Sequence, residues 1–163
     1  DDFYEAISSF SGASKRLEKV AENADCVVYK DFAHSPSKVK ATTQAVKSQY
    51  PKRELVACLE LHTYSSLNAE FLEHYKNTLD AADTAVVFYS PDAIEIKQLE
   101  AVSKTQIATA FDREDLIIFT DPTLFEAYLM ALKYDHKTVL LMSSGSYGGL
   151  DFEMLKNKVK KSI

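Results

Sequence analysis

Two periods of apolar residues alternate along the chain. Short continuous apolar runs occur at Cys26-Val27-Val28-Tyr29, Leu55-Val56-Ala57-Cys58-Leu59, Ala85-Val86-Val87-Phe88-Tyr89, Leu116-Ile117-Ile118-Phe119 and Thr138-Val139-Leu140-Leu141-Met142. Their length and β-branched content predict strands buried on both faces. Between them the spacing turns helical. Pro36 to Gln49 carries Val39, Thr42, Thr43 and Val46 on one side, and Pro51-Lys52 ends it. A second helix is expected from about Asn68 to Ala81, with Phe71, Leu72, Tyr75 and Leu79 on one face. Ser103-Lys104-Thr105-Gln106 reads as a capping box opening a short helix with Ile107 and Phe111 inside. Asp121-Pro122 opens a helix to about Tyr134, and Phe152 to Val159 forms the last one. Ahead of this series, Leu17 to Val20 and Cys26 to Tyr29 flank Glu22-Asn23-Ala24-Asp25, the signature of an antiparallel hairpin.

Strands alternating with amphipathic helices predict an α/β domain with a mostly parallel sheet covered on both faces. At 163 residues and 46% hydrophobic, the chain suits one domain with a real core. The formal net charge of −5 argues against general nucleic-acid binding, and Lys156, Lys158, Lys160 and Lys161 read as a solvated helix end complementing the helix dipole. Cys26 and Cys58 each sit in an apolar run, as buried free thiols of a reducing compartment do, so a cytoplasmic location is expected. No apolar run reaches membrane-span length, and the acidic start Asp1-Asp2 is unlike a signal or transit peptide.

Three junctions carry candidate chemistry. Asp31-Phe32-Ala33-His34-Ser35-Pro36 runs from a strand into a helix start, with Ser35 as the expected N-cap and Pro36 as the first helical residue. Ligands in open α/β sheets sit outside the carboxyl ends of strands, so Asp31 would offer a carboxylate to ribose hydroxyls or a cation, and His34 an imidazole to a carboxylate. The alternative is that both merely cap the loop and helix. Ser143-Ser144-Gly145-Ser146-Tyr147-Gly148-Gly149 gathers three of the four glycines into one loop, which permits close backbone approach to an anion or a plain turn. It matches neither G-x-G-x-x-G nor a Walker loop, and no histidine follows Ser146 to complete a hydrolase triad. Glu60-Leu61-His62 follows another strand; Asp31, His34, Glu60 and His62 would resemble a metal cluster only if their strands were neighbours. His74 and His136 read as ordinary surface residues.

Taken together, Lys15-Arg16-Leu17-Glu18, Asp31-Phe32-Ala33-His34-Ser35-Pro36, Glu60-Leu61-His62-Thr63-Tyr64-Ser65 and Gly145-Ser146-Tyr147-Gly148-Gly149 resemble, in order and spacing, the C-terminal domain of the Mur ligases over essentially the whole chain. The resemblance implies a Rossmann-like three-layer domain that closes over ATP held by a central domain and supplies part of the peptide site. It assigns Arg16 and Asp31 to the nucleotide, Asp31 at the ribose, and His34 to the incoming amino acid or peptide. His62, Ser144, Gly145, Ser146 and Gly148 fall on the same substrate side. No catalytic residue and no metal ligand is expected in this chain. The reaction implied joins UDP-N-acetylmuramate through an acyl phosphate to L-alanine or to the tripeptide L-alanyl-γ-D-glutamyl-meso-diaminopimelate, the substrates of two related branches, in peptidoglycan synthesis or recycling. Two departures from the family pattern put alanine specificity in doubt: Ser35 stands where a second histidine is common, and Thr63 follows His62 where the alanine-adding enzymes carry arginine.

A Mur ligase also needs a G-x-x-G-K-[ST] loop and metal-binding acids in its central domain, and an N-terminal domain for the UDP-sugar. This sequence contains neither, so it is expected to be a domain whose partners are the N-terminal and central domains of the same polypeptide. ATP and Mg would serve the full-length enzyme, with none bound tightly by the domain alone and no catalysis by it in isolation. The alternative is a freestanding nucleotide- or peptide-binding module of the same fold, which an adenylate-stacking aromatic beside Asp31 would favour.

Overall fold

A computed structural model describes residues 17–62, 68, 70–90 and 103–161. The predicted hairpin is present: β1 (Glu18–Glu22) pairs antiparallel with β2 (Cys26–Asp31), with an irregularity between Lys19 and Ala21. Asn23 closes the turn, its Oδ1 accepting from the N–H groups of Asp25 and Cys26 at 2.9 and 2.8 Å. Its amide donates to the carbonyls of Tyr134 and Val159, both at 3.0 Å, tying the hairpin to distant chain.

Beyond the hairpin every pairing is parallel. β3 (Glu54–Glu60), β4 (Thr84–Phe88), β5 (Ile117–Phe119) and β6 (Lys137–Met142) complete one sheet in the order β1-β2-β6-β3-β4-β5. Helices lie on both faces: α1 (Pro36–Gln49) and α2 (Lys104–Phe111) on one, α3 (Pro122–Ala131) and α4 (Phe152–Lys161) on the other. Alternation along each strand feeds two cores. Val27 and Tyr29 pack with Val39, Val46, Ile107 and Phe111, while Cys26 and Val28 pack with Phe125, Leu129, Leu155 and Val159. Both cysteines are buried and free, and burial pushes the Cys26 thiol up to about 11, which keeps it protonated and unreactive.

The segment expected to be a helix from Asn68 to Ala81 is different. A short 3-10 helix, Phe71–Tyr75, is followed by turns. Polar side chains compete with the helical ladder here: Asn68 Oδ1 accepts from the N–H groups of Glu70 and Phe71, and the Thr78 hydroxyl donates to the Tyr75 carbonyl at 2.8 Å. Asn77 takes a left-handed φ of 66°, and Arg113 claims the Leu79 carbonyl at 2.7 Å. Leu72, Tyr75 and Leu79 are nevertheless buried, so the apolar spacing marks the face that meets the core but not the backbone conformation. Helix α3 stops at Ala131, short of Tyr134, whose hydroxyl reaches back to the Leu129 carbonyl at 2.7 Å. Ser35 does occupy the N-cap of α1, but its side chain makes no capping bond.

Candidate functional site at the carboxyl ends of three strands

The strand order places β6 between β2 and β3, so three predicted loops emerge side by side from parallel strands. Asp31 pairs in register with Met142, and Met142 with Leu59. The Ser143 N–H continues the ladder by donating to the Asp31 carbonyl at 2.9 Å. The loop after β6 therefore stands between the Asp31–His34 turn and the Glu60–His62 turn. That arrangement excludes the four-residue metal cluster: two strand spacings of roughly 4.8 Å separate β2 from β3, and among the described residues no group of three or more ligating side chains assembles.

Asp31 is 8% exposed. Burial raises its carboxyl pKa above the ordinary range, opposed by hydrogen bonds from the Ala33, Leu17 and Phe32 backbone and the Thr42 hydroxyl. His34 is half-buried; its Nδ1–H donates to the Phe32 carbonyl at 2.9 Å, which leaves Nε2 as the acceptor of the neutral ring. The Tyr75 hydroxyl donates to the His34 carbonyl, fixing the turn to the 3-10 helix. Phe32, 41% exposed, meets the His34 ring edge-on at 5.3 Å.

Glu60, 3% exposed, organises the other side. Its Oε1 accepts from the Ser143 hydroxyl at 2.6 Å and the Tyr147 N–H at 2.8 Å, while Oε2 lies 3.7 Å from His62 Nδ1. The Ser143 hydroxyl in turn accepts from the Gly145 N–H at 2.7 Å. Tyr147 is buried beneath the loop and donates through its hydroxyl to the carbonyls of Met142 and Cys58 at 2.6 and 3.0 Å. Ser143 and Tyr147 lie in the loop singled out from the sequence but are not among its expected binding residues; their part as anchors depends on Glu60, which is distant in the chain.

The glycines have separate reasons. A Cβ at Gly145 would stand 2.9 Å from the His62 ring and 3.1 Å from Glu60 Oε1, so its lack of a side chain lets the loop close onto that pair. Gly148, at φ 71°, would drive a Cβ to 2.7 Å from Pro122 Cγ at the start of α3, a packing constraint within the fold. The Ser144 hydroxyl is buried without a hydrogen-bond partner. Ser146 closes the turn by accepting from Gly149 and Leu150. Among the described residues the N–H groups of Ser144, Ser146 and Gly148 have no acceptor. The following helix does not add its own: Asp151 Oδ1 already accepts from the N–H groups of Glu153 and Met154. Arg16 lies outside the described residues, as do Thr63 to Ser66.

Residues 15–145 match the family described as Mur ligase, glutamate ligase domain. The chain belongs to the Mur ligase family. The UDP-N-acetylmuramate–L-alanine ligase of Limosilactobacillus reuteri is 29% identical over 163 residues, covering 100% of this chain and 34% of that protein. The chain thus spans about a third of the length of the curated relatives it matches. In fold it is similar to the murein peptide ligase of Psychrobacter arcticus, with a TM-score of 0.72 and 19% identity over 98% of this chain and 32% of that one. A domain of a Haemophilus ducreyi protein, described as a UDP-N-acetylmuramate:L-alanyl-γ-D-glutamyl-meso-diaminopimelate ligase, gives a TM-score of 0.59 at 21% identity, covering 88% of this chain and 99% of that one. These likenesses establish the α/β, Rossmann-like architecture. Among the described residues no helix is long and apolar enough to cross a membrane.

Proposed function

We propose that this Mur ligase C-terminal domain serves a longer ligase that joins UDP-N-acetylmuramate to L-alanine or to an alanine-led peptide, holding that substrate and closing on the nucleotide. One observation carries the reading: the Asp31–His34 and Glu60–His62 turns flank a single loop that leaves N–H groups and the Ser144 hydroxyl unpaired. When bound in the parent, ATP with Mg supplies the phosphoryl group that activates the muramyl carboxylate. This chain's share is positional. Asp31, preset by backbone donors, accepts a ribose hydroxyl, and Arg16 joins it on the nucleotide side. His34 Nε2 and the exposed edge of His62 face the incoming amine, and the N–H groups of Ser144 and Ser146 meet a peptide carboxylate.

The sequence has no phosphate-cradling loop, so the fit to ATP is partial by construction. Asp31→Ala in the complete polypeptide should raise KM for ATP about tenfold, since a charge-assisted hydrogen bond is worth roughly 1.5–3 kcal/mol. Unchanged ATP kinetics would remove Asp31 from the nucleotide site. The exposure of Phe32 beside Asp31 keeps a second reading, a freestanding nucleotide-binding module. Calorimetry with Mg-ATP separates the two: the ligase reading expects nothing tighter than about millimolar from the chain alone, and the module reading expects micromolar binding.

A further inference from the structure

We propose that the cavity between the start of α1 and the 3-10 helix is a second, cationic subsite that takes a distal carboxylate of the incoming peptide; this rests on the peptide-ligase reading above. The cavity holds about 440 Å³ and is lined by Pro36, Ser37, Lys40, Phe71, His74, Lys76 and Thr78. Its lining has two lysines and a histidine and no acid, in a chain whose net charge is −5. Among the described residues neither lysine is in an ion pair, whereas Lys19, Lys30, Lys47 and Lys137 all are.

Two further features suit an anion with an apolar body. Phe71 and Pro36 supply an apolar wall, and the Phe71 ring meets His74 at a tilt with centroids 5.0 Å apart and Tyr75 edge-on at 6.0 Å. The first turn of α1 has no acidic residue and no side-chain cap, so its N–H groups add to the field of the lysines. The wall is held to the main site, because Tyr75 is packed on Phe111 and its hydroxyl bonds the His34 carbonyl. Pro36 lies two residues past His34, and Lys40 about one helical turn beyond Pro36. An extended peptide of three residues spans about 10 Å, enough to run from an amine beside His34 to this cavity. L-alanine, with its carboxylate next to the reacting amine, is too short to reach it. The subsite therefore selects peptide over free amino acid.

The test is NMR titration of the 15N-labelled chain with L-alanyl-γ-D-glutamyl-meso-diaminopimelate, L-alanine and inorganic phosphate in parallel. The expected result is saturable shifts at Ser37, Lys40, His74 and Lys76 with the tripeptide alone, weakened about tenfold in the Lys40→Ala/Lys76→Ala double variant. Lys156→Ala, on α4, should leave the titration unchanged. Phosphate binding as tightly as the tripeptide, shifts that never saturate, or an equal loss in Lys156→Ala would overturn the proposal. Failure of the ligase reading shows separately, as absence of ATP-dependent amide formation by the complete polypeptide.

Discussion

Glu60 Oε1 holds the loop after β6 while Oε2 faces His62, so deleting the carboxylate and neutralising it have different consequences. Glu60→Ala leaves Ser143 and the Tyr147 N–H without their buried acceptor and should cost roughly 3 kcal/mol in urea unfolding. Glu60→Gln keeps an oxygen for both donors and should lose about 1 kcal/mol or less. Equal losses would mean that charge, and not loop anchoring, sets the contribution. Asp31 runs the other way. Its folded pKa is raised by burial above the unfolded value, so the ionised group costs the fold stability at neutral pH, and that cost disappears as pH falls through the folded pKa. Asp31→Asn should therefore raise the thermal midpoint at pH 7, with the gain shrinking towards pH 4; a lower midpoint at pH 7 would contradict this. An acid retained against stability is what a binding role predicts. Asp31 and His34 were legible in sequence because a strand-to-helix junction is local. Glu60 as the loop's anchor was not, because its partners are 83 and 87 residues away.

Local signals were reliable for elements where the cap was made of adjacent residues. The capping box at Ser103 is present with both reciprocal bonds, the Gln106 N–H donating to the serine oxygen at 3.1 Å and the Ser103 N–H to the glutamine side chain at 2.8 Å. Ser103→Ala should cost about 1 kcal/mol. Ser35→Ala, at an N-cap whose side chain makes no bond, should be within a few tenths of that of the wild type, read from the same urea midpoints. The 68–81 segment departs from the expected helix because its apolar spacing fits both a continuous helix and a 3-10 turn followed by loops. The Arg113 guanidinium bonds to the carbonyls of Leu79 and Asp83 decide between them, and they come from a distant element. Spacing reports which side faces the core; long-range polar contacts choose the backbone.

At the scale of the molecule, the mostly parallel sheet, both covering layers and the hairpin were readable from the alternation of strands and helices, and the position of β6 was not. Placing the last strand between β2 and β3 is what gathers Asp31, the glycine loop and Glu60 on one rim. It follows the general rule for ligand sites in open α/β sheets. On this account the rim has a nucleotide side at Asp31 and a peptide side at His62 and Ser144, both dependent on further domains for phosphate activation. The most direct test is steady-state amide formation by the complete polypeptide from UDP-N-acetylmuramate, the tripeptide and Mg-ATP, compared between wild type and Asp31→Ala. The account predicts ATP-dependent product with KM for ATP raised about tenfold and KM for the tripeptide unchanged in the variant. No ATP-dependent product from the wild type, or a variant altered equally for both substrates, would contradict it.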